Sequence, residues 1–309
     1  MTIHQSMAMS SIKFIIICTI LLLFVQFCAY FVPLLVGCIY WRLLYWLTAT
    51  IFTSMSIWSL LAAAYASHLQ PPEQFYLTEP WLSEYERLSE DPKARLALVN
   101  RFATETKLPI NDQTIGIDGL TVRFCAICKC VKPDRAHHCA VCGHCYLRYD
   151  HHCPIIDNCV TAANYRAFTL FFAYTLADCI FATFVLLLYG IRKHEMIEQM
   201  WKTWDSNTVF FFLNALFMAG CLCYGFACLL PMLISQLSVL FRNETTVEQK
   251  NRMTEYRRTT VKTYDSGFCV NCEMYCGEMK LFWPFPFIET NSEDHIYYPN
   301  PDDDEKQPT

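Results

Sequence analysis

The chain has 309 residues, a formal net charge of −5 and a mean hydropathy of +0.21; 54 % of its residues are hydrophobic and only 17 % charged. Soluble domains carry about 25 % charged residues, so the composition excludes a disordered chain and speaks against a purely soluble enzyme. The mild acidity speaks against a nucleic-acid binder, which needs a basic excess.

In chain order, two long apolar runs come first, from about Phe14 to Ile39 and from about Leu43 to Ala66. Each is long enough to cross a hydrocarbon core of ~30 Å at 1.5 Å per residue. The first is too long for a cleaved signal peptide, its basic flank is only Lys13, and a second span follows at once. A retained anchor is expected, so residues 1–66 form the N-terminal segment with two spans. Residues 67–118 read as a cytosolic linker with a helical stretch from Ser89 to Lys107, and residues 119–166 as a cysteine-rich metal domain. Two further runs, Ala167–Ile191 and Val209–Phe241, place spans three and four within 167–241, joined by a short loop. The fourth exceeds what a bilayer needs, and the surplus carries its cytosolic end beyond the membrane. Residues 242–288 form a C-terminal cytosolic domain, and 289–309, with Asp302 to Glu305 in a row, an acidic disordered tail.

Lys and Arg set the orientation. Residues 67–166 hold eleven and the tail from Arg242 eight, against one at Arg42 and three in the loop at Arg192, Lys193 and Lys202. Basic segments stay cytosolic, which puts both termini and the cysteine-rich segment in the cytosol. Asp178 is the one ionisable residue well inside a span, and a polar contact between helices accounts for it more simply than a transport pathway.

Of 18 cysteines, eight lie between Cys125 and Cys159 together with five histidines. Disulfide frameworks gain nothing from histidine, whereas zinc sites use it, so a reducing compartment is expected. A Cys-x-x-Cys at Cys125/Cys128 recurs at Cys139/Cys142. The first Cys of each is followed by a His after 13 residues, and that His by a Cys after 7. Two interleaved Cys₃His sets result: Cys125, Cys128, His138, Cys145 and Cys139, Cys142, His152, Cys159. Their donors suit two structural zinc ions in tetrahedral sites, which a short polar segment needs in order to fold. A third set built from Cys130, Cys153 and two histidines is a weaker alternative, since neither cysteine has a Cys-x-x-Cys partner. Asp150, His151 and Cys153 instead supply a carboxylate, a base and a thiol in nucleophilic order.

At this point the segment Phe124–Phe168 resembles the cysteine-rich domain of the DHHC protein S-acyltransferases, the palmitoyltransferases. The likeness rests on Asp150-His151-His152-Cys153-Pro154, Asp157-Asn158-Cys159-Val160 and Asn164, on Thr245-Thr246-Val247-Glu248 after the fourth run (the TTxE motif), and on Tyr264 to Phe268 followed by Asn271 and Gly277. The resemblance implies a membrane α-helical fold of four transmembrane helices with the zinc-stabilised domain in the cytosol between the second and third. It implies catalytic Cys153, His151 and Asp150; supporting Thr245, Thr246 and Asn271, with Thr246 touching the aspartate; palmitoyl-CoA as co-substrate; and membrane-associated proteins with cytosolic cysteines as acceptors. The acyl chain is expected in a cavity between the spans opening at Cys153, with Ile155, Phe171 and Phe172 as lining candidates. Lys132 and Arg135, in a basic set with Arg123, Lys129 and Arg148, are candidates for the CoA phosphates, and anionic headgroups suit the same face equally. A Golgi or endoplasmic reticulum membrane is expected, with the plasma membrane as the other option.

The pattern is departed from at Ile155, where the family has Trp, at Thr161, where it has Gly, and at Asp91-Pro92-Lys93, a displaced and incomplete version of a motif after the second span. A zinc-bearing scaffold without activity and a transporter or receptor remain competing classes. Cys269, Cys272 and Cys276 are open between a metal site with an outside ligand, acyl acceptors and plain reduced thiols.

Overall fold

A computed structural model describes residues 15–25, 27–28, 38–111, 113–116, 119–203, 205–253, 264–277, 280–288, 291 and 293–298. Among them three helices are long and apolar enough to cross a membrane: α2 (Ile39–Tyr65), α5 (Tyr165–Arg192) and α7, with Thr208–Phe241 as its apolar part and Ser206–Phe241 as its full length. The first expected span is described as a shorter apolar helix, α1 (Ile15–Val25), residues 27–28 and, at its end, Cys38 and Ile39, the latter opening α2; the rest of that run lies outside the described residues. The helix α6 (His194–Thr203) stands between α5 and α7.

The long helices are tied by hydrogen bonds as well as by apolar packing. In hydrocarbon a polar side chain needs an internal partner. Thr53 of α2 donates to Asp178 of α5 at 2.8 Å, and Ser56 meets Thr175 at 2.6 Å. Asp178 thus serves as a contact between helices.

Between α2 and α5 lies the extramembrane part. It begins with α3 (Trp81–Arg87) and α4 (Pro92–Glu105). The helix expected over 89–107 starts at Pro92 because Asp91 caps it, its carboxylate accepting the Lys93 and Ala94 N–H groups at 3.0 Å, with proline at the first helical position. The buried face of α4, Leu98, Val99, Phe102 and Ala103, packs with Phe75, Tyr85 and Val131. Four two-stranded antiparallel hairpins follow: β1 (Gln113–Gly116) with β2 (Gly119–Val122), β3 (Phe124–Cys125) with β4 (Cys130–Val131), β5 (His137–Cys139) with β6 (His144–Tyr146), and β7 (His151–Cys153) with β8 (Asn158–Val160). After α7 come α8 (Thr246–Met253) and α9 (Phe268–Cys276).

Residues 293–298, inside the stretch expected to be a disordered tail, are packed on the metal domain. His295 and Tyr298 are buried, Asp134 accepts the Tyr298 N–H at 3.2 Å, and the His295 ring meets the Tyr298 hydroxyl at 2.9 Å. The buried His295 and Tyr298, with Ile296 packed on the cluster around Phe75 and Phe102, outweigh the acidic residues beside them. The acidic run 302–305 lies outside the described residues.

Two asparagines join the metal domain to the membrane helices. The last carbonyls of a helix have no intrahelical partner. Asn158 Nδ2 donates to the Ala64 and Ala66 carbonyls at 3.1 and 3.2 Å, and Asn164 Nδ2 to the Ala63 and Cys159 carbonyls at 2.8 and 2.9 Å. His68, just beyond α2, bonds Asn158 Oδ1 through Nε2. Replacing Asn164 by Ala strands buried carbonyls and is expected to cost about 3 kcal/mol, read as a lowered thermal midpoint in detergent, while Thr104→Ala on an exposed helix face leaves the midpoint within error.

Candidate active site

Each metal-ligand set is assembled on the same local frame. A Cys-x-x-Cys turn folds so that the second Cys N–H points at the first sulfur, at 3.4 Å in both Cys125–Cys128 and Cys139–Cys142. The next residue takes a left-handed conformation, Lys129 at φ 55° and Gly143 at φ 76°. Hairpin partners then bring the remaining ligands across: His138 faces Cys145 in β5–β6, and His152 faces Cys159 in β7–β8. Strand β5 serves both sets, because the adjacent His138 and Cys139 project to opposite sides.

The donor atoms of Cys125, Cys128, His138 and Cys145 lie within 4.8 Å of one another, as do those of Cys139, Cys142, His152 and Cys159. His138 Nδ1 is 3.6, 3.3 and 3.9 Å from the sulfurs of Cys125, Cys128 and Cys145; His152 Nδ1 is 3.5 and 3.6 Å from those of Cys142 and Cys159. Tetrahedral zinc with ordinary Zn–S and Zn–N bonds separates such atoms by roughly 3.6 Å. Three thiols and one imidazole in each set therefore fit zinc. Cys130 and Cys153 belong to neither set.

Asp150, His151 and Cys153 stand at the second set. The His151 Nδ1–H donates to Asp150 Oδ2 at 2.7 Å, which leaves the other ring nitrogen available to Cys153, two residues along the same strand. Burial disfavours the imidazolium, but the bonds to the Asp150 carboxylate and the Cys153 sulfur outweigh it, and the His151 pKa is pushed up to about 9. The ring edge also packs against Phe168, 5.6 Å between centroids.

Asp150 is buried and held from three sides. Its N–H donates to the Val160 carbonyl at 2.9 Å; the Thr246 N–H donates to Oδ1 at 2.5 Å; and the Thr246 hydroxyl donates to its carbonyl at 2.9 Å. Thr246 opens α8. Thr245 and Glu248 form a capping box before it, the Glu248 N–H donating to Thr245 Oγ1 at 3.2 Å and the Thr245 N–H to Glu248 Oε2 at 2.8 Å. Asn271 anchors the following segment, donating to the Phe241 carbonyl at 2.7 Å and to Asp265 at 2.8 Å.

Arg135 is not at the surface. Its side chain is 0 % exposed, and Nε and Nη2 each donate to Glu248 at 2.9 Å. Nη1 and Nη2 also donate to the Asn243 side chain and carbonyl at 2.9 and 2.8 Å, and the guanidinium lies between the rings of Tyr264 and Tyr298. With these donors taken and no solvent access, it has nothing to offer a phosphate. Arg148 is likewise buried, 3.5 Å over the Tyr275 ring and bonded to Asn243 Oδ1 at 2.8 Å. Lys132 is half-buried and Lys129 sits over the Tyr85 ring.

Cys153 is buried in an apolar cluster with Leu60, Ala63 and Ala64 of α2, Phe168, Phe171 and Phe172 of α5, and Val239 and Leu240 of α7, with Ile155 packed against it. Phe171 and Phe172 thus stand with the thiol where the long helices meet the metal domain. An apolar cleft of about 420 Å³ between α5, α6 and α7 is elsewhere, lined by Leu186, Gly190, Phe211 and Leu222 toward the opposite end of the helices. His68, Asn243 and Tyr275, whose hydroxyl donates to the Glu244 carbonyl at 2.7 Å, escaped the sequence reading. Only Asn243 carried a signal, an Asn two residues before the TTxE motif, where its φ of 47° suits that residue type.

Two measurements follow from this geometry. Elemental analysis is expected to find about two zinc ions per chain, falling toward one in Cys142→Ser. Arg135→Ala leaves Glu248 and Asn243 without their partner, and a loss of about 3–5 kcal/mol is expected in urea unfolding of the detergent-solubilised protein; a loss below about 1 kcal/mol contradicts the buried-pair assignment.

Residues 120–253 match the family described as DHHC palmitoyltransferase. Among curated proteins, palmitoyltransferase ZDHHC20-B of Danio rerio is 28 % identical over 248 residues, covering 79 % of this chain and 71 % of that protein. Palmitoyltransferase ZDHHC20 of Homo sapiens is 29 % identical over 243 residues, 78 % of this chain and 62 % of that protein, and that of Bos taurus 30 % identical over 246 residues, 79 % and 63 %. The chain therefore spans between three-fifths and three-quarters of the length of these relatives, and its residues 120–253 are a domain of the DHHC palmitoyltransferase family.

Proposed function

We propose that the chain is a protein-cysteine S-acyltransferase that moves a long-chain fatty acyl group, palmitoyl above all, from acyl-CoA through a Cys153 acyl-enzyme to cysteines of membrane-associated proteins. The observation that carries this reading is the Asp150–His151 hydrogen bond on the strand that bears Cys153, with Cys153 set in an apolar cluster at the ends of three membrane-type helices. Similarity to proteins named palmitoyltransferases supports it.

In the first step His151 takes the Cys153 thiol proton as the sulfur attacks the thioester carbonyl. The bond to CoA sulfur breaks and the His151 imidazolium delivers a proton to the departing thiolate. In the second step neutral His151 takes the proton of an acceptor cysteine, whose sulfur attacks the acyl-enzyme and releases Cys153. Asp150 keeps the proton on His151 Nδ1 and the ring turned toward the thiol, and the Thr246 N–H and hydroxyl keep Asp150 in place. When bound, zinc in the two Cys₃His sets cross-links the hairpins and so fixes the strand on which His151 and Cys153 stand.

A membrane setting suits this chemistry. A palmitoyl chain has roughly fourteen methylenes, and drawing them into water costs roughly 11 kcal/mol at about 0.8 kcal/mol each. Ile155, Phe171 and Phe172 are the residues proposed to meet the chain beside Cys153. Among the proposed phosphate ligands Lys132 remains, with Arg135 withdrawn into the interior. We place four spans in the membrane, the run from Phe14 to Ile39 being the first, with both termini and the metal domain in the cytosol of a Golgi, endoplasmic reticulum or plasma membrane. The basic excess on that side supports this orientation.

Purified protein given an alkyne-bearing fatty acyl-CoA is expected to acquire a hydroxylamine-sensitive label that Cys153→Ser abolishes. Full labelling of that variant would sink the mechanism.

A further inference from the structure

The segment from Leu281 to Ile288, Leu-Phe-Trp-Pro-Phe-Pro-Phe-Ile, belongs to neither metal set nor to the Asp150–His151–Cys153 group, and it carries no charged side chain. Its large side chains face outward: Leu281 is 78 % exposed, and Phe282, Phe285 and Phe287 between 37 % and 43 %. A contiguous aromatic patch of this kind is rarely left in water.

The position of the segment indicates what covers it. Phe285 and Phe287 pack on Trp58 of α2, with ring centroids 6.2 and 6.0 Å away, and the Tyr174 hydroxyl of α5 donates to the Pro284 carbonyl at 2.6 Å. Trp58 lies seven residues inside the end of α2 at Tyr65, and Tyr174 nine inside the start of α5 at Tyr165. At 1.5 Å per residue these are depths of about 10 and 14 Å along the helices. Trp58 is itself 42 % exposed on an apolar span, so the patch continues the surface that these helices turn toward hydrocarbon.

Backbone chemistry agrees with immersion, which forbids unsatisfied peptide groups. The N–H groups of Trp283, Phe285 and Phe287 donate to Lys280, Phe282 and Phe285 carbonyls at 3.2, 3.0 and 2.9 Å. Pro284 and Pro286 between them have no N–H to satisfy. Arg166 Nη2 donates to the Phe287 carbonyl at 2.9 Å, and the Trp283 indole N–H to the Gly277 carbonyl at 2.8 Å. Lys280 pairs with Glu273 at 3.4 Å, marking the polar edge where the apolar stretch begins.

We propose that residues 281–288 are an interfacial membrane anchor, whose leucine and phenylalanine side chains enter the leaflet next to the metal domain, with lipid acyl chains as their occupant. Leucine and phenylalanine favour hydrocarbon, and tryptophan favours the boundary above it. Trp283 and Ile288 also pack on the cluster that holds Cys153, so the anchor fixes the height of that thiol relative to the leaflet. The inference rests on the long helices crossing a bilayer and not on acyl transfer.

The test uses the full-length protein in phosphatidylcholine nanodiscs, with an environment-sensitive fluorescent amino acid at Leu281 or, as control, at Ile127, which is 72 % exposed on the metal domain. With lipids brominated near the headgroup end of the acyl chains, about a twofold loss of emission is expected at position 281 and none at 127. Equal emission in brominated and plain discs at 281 overturns the proposal, whether water or a protein covers the patch. The same probe at Phe282 supplies a second reading if the first substitution disturbs folding. Acyl labelling of the same preparations reports separately on the reaction.

Discussion

A guanidinium removed from water costs several kcal/mol unless its donors are filled and its charge is matched. Arg135 meets both conditions with groups that are far away in sequence: the Glu248 carboxylate, the Asn243 side chain and carbonyl, and the faces of Tyr264 and Tyr298. One side chain of the metal domain thereby holds the turn after α7, the first turn of α8, the start of the C-terminal segment and the residues near the chain's end. Glu248 is also the third helical residue of the Thr245 capping box, so the carboxylate that balances Arg135 sets the helix start that aims Thr246 at Asp150. Loss of the pair and displacement of the carboxylate behind His151 are consequently one event.

The same economy explains which parts of the molecule were legible in the sequence. The eight metal-ligating residues could be grouped from spacing alone, because a Cys-x-x-Cys turn and a hairpin are local structures and their geometry is fixed within about twenty residues. Apolar run length likewise marked the long helices, since hydrocarbon thickness sets it. Arg135 was read as a surface cation because that is where an arginine usually resides, and its partners are 108 and 113 residues away. Nothing near it in the chain announces Asn243 or Tyr298. Residues 293–298 pack through His295 and Tyr298 although acids surround them, for the same reason: burial there depends on the aromatic sandwich around Arg135 and not on local composition.

Where the metal domain meets the membrane helices, the difficulty is a peptide-group problem. The end of α2 would leave its last carbonyls bare at a buried junction, and Asn158 and Asn164 supply the missing donors. Both asparagines stand within eleven residues of Cys153, one on the strand paired with it. Fastening α2 and positioning the thiol are therefore done by one short stretch of chain, and the apolar cluster around Cys153 closes over that joint.

The two departures from the family pattern in this stretch differ in physical consequence. Thr161 replaces a glycine without needing glycine's conformational freedom, because it is absent from the residues with positive φ. Its N–H donates to Asn164 Oδ1 at 3.0 Å, its carbonyl accepts the Tyr165 N–H at 3.0 Å, and its hydroxyl accepts the Ala163 N–H and meets His68 Nδ1, both at 3.3 Å. The Thr161 hydroxyl satisfies the Ala163 N–H just before α5, which a hydrogen cannot do, a gain over glycine of about a few tenths of a kcal/mol on capping scales. Ile155 is the opposite case. It sits against the Cys153 cluster and keeps the site apolar, but it has neither the area nor the flat face of an indole. Backbone geometry near Cys153 is thus preserved by Thr161, and the change in chemistry is confined to the one side chain that adjoins the thiol's apolar surroundings.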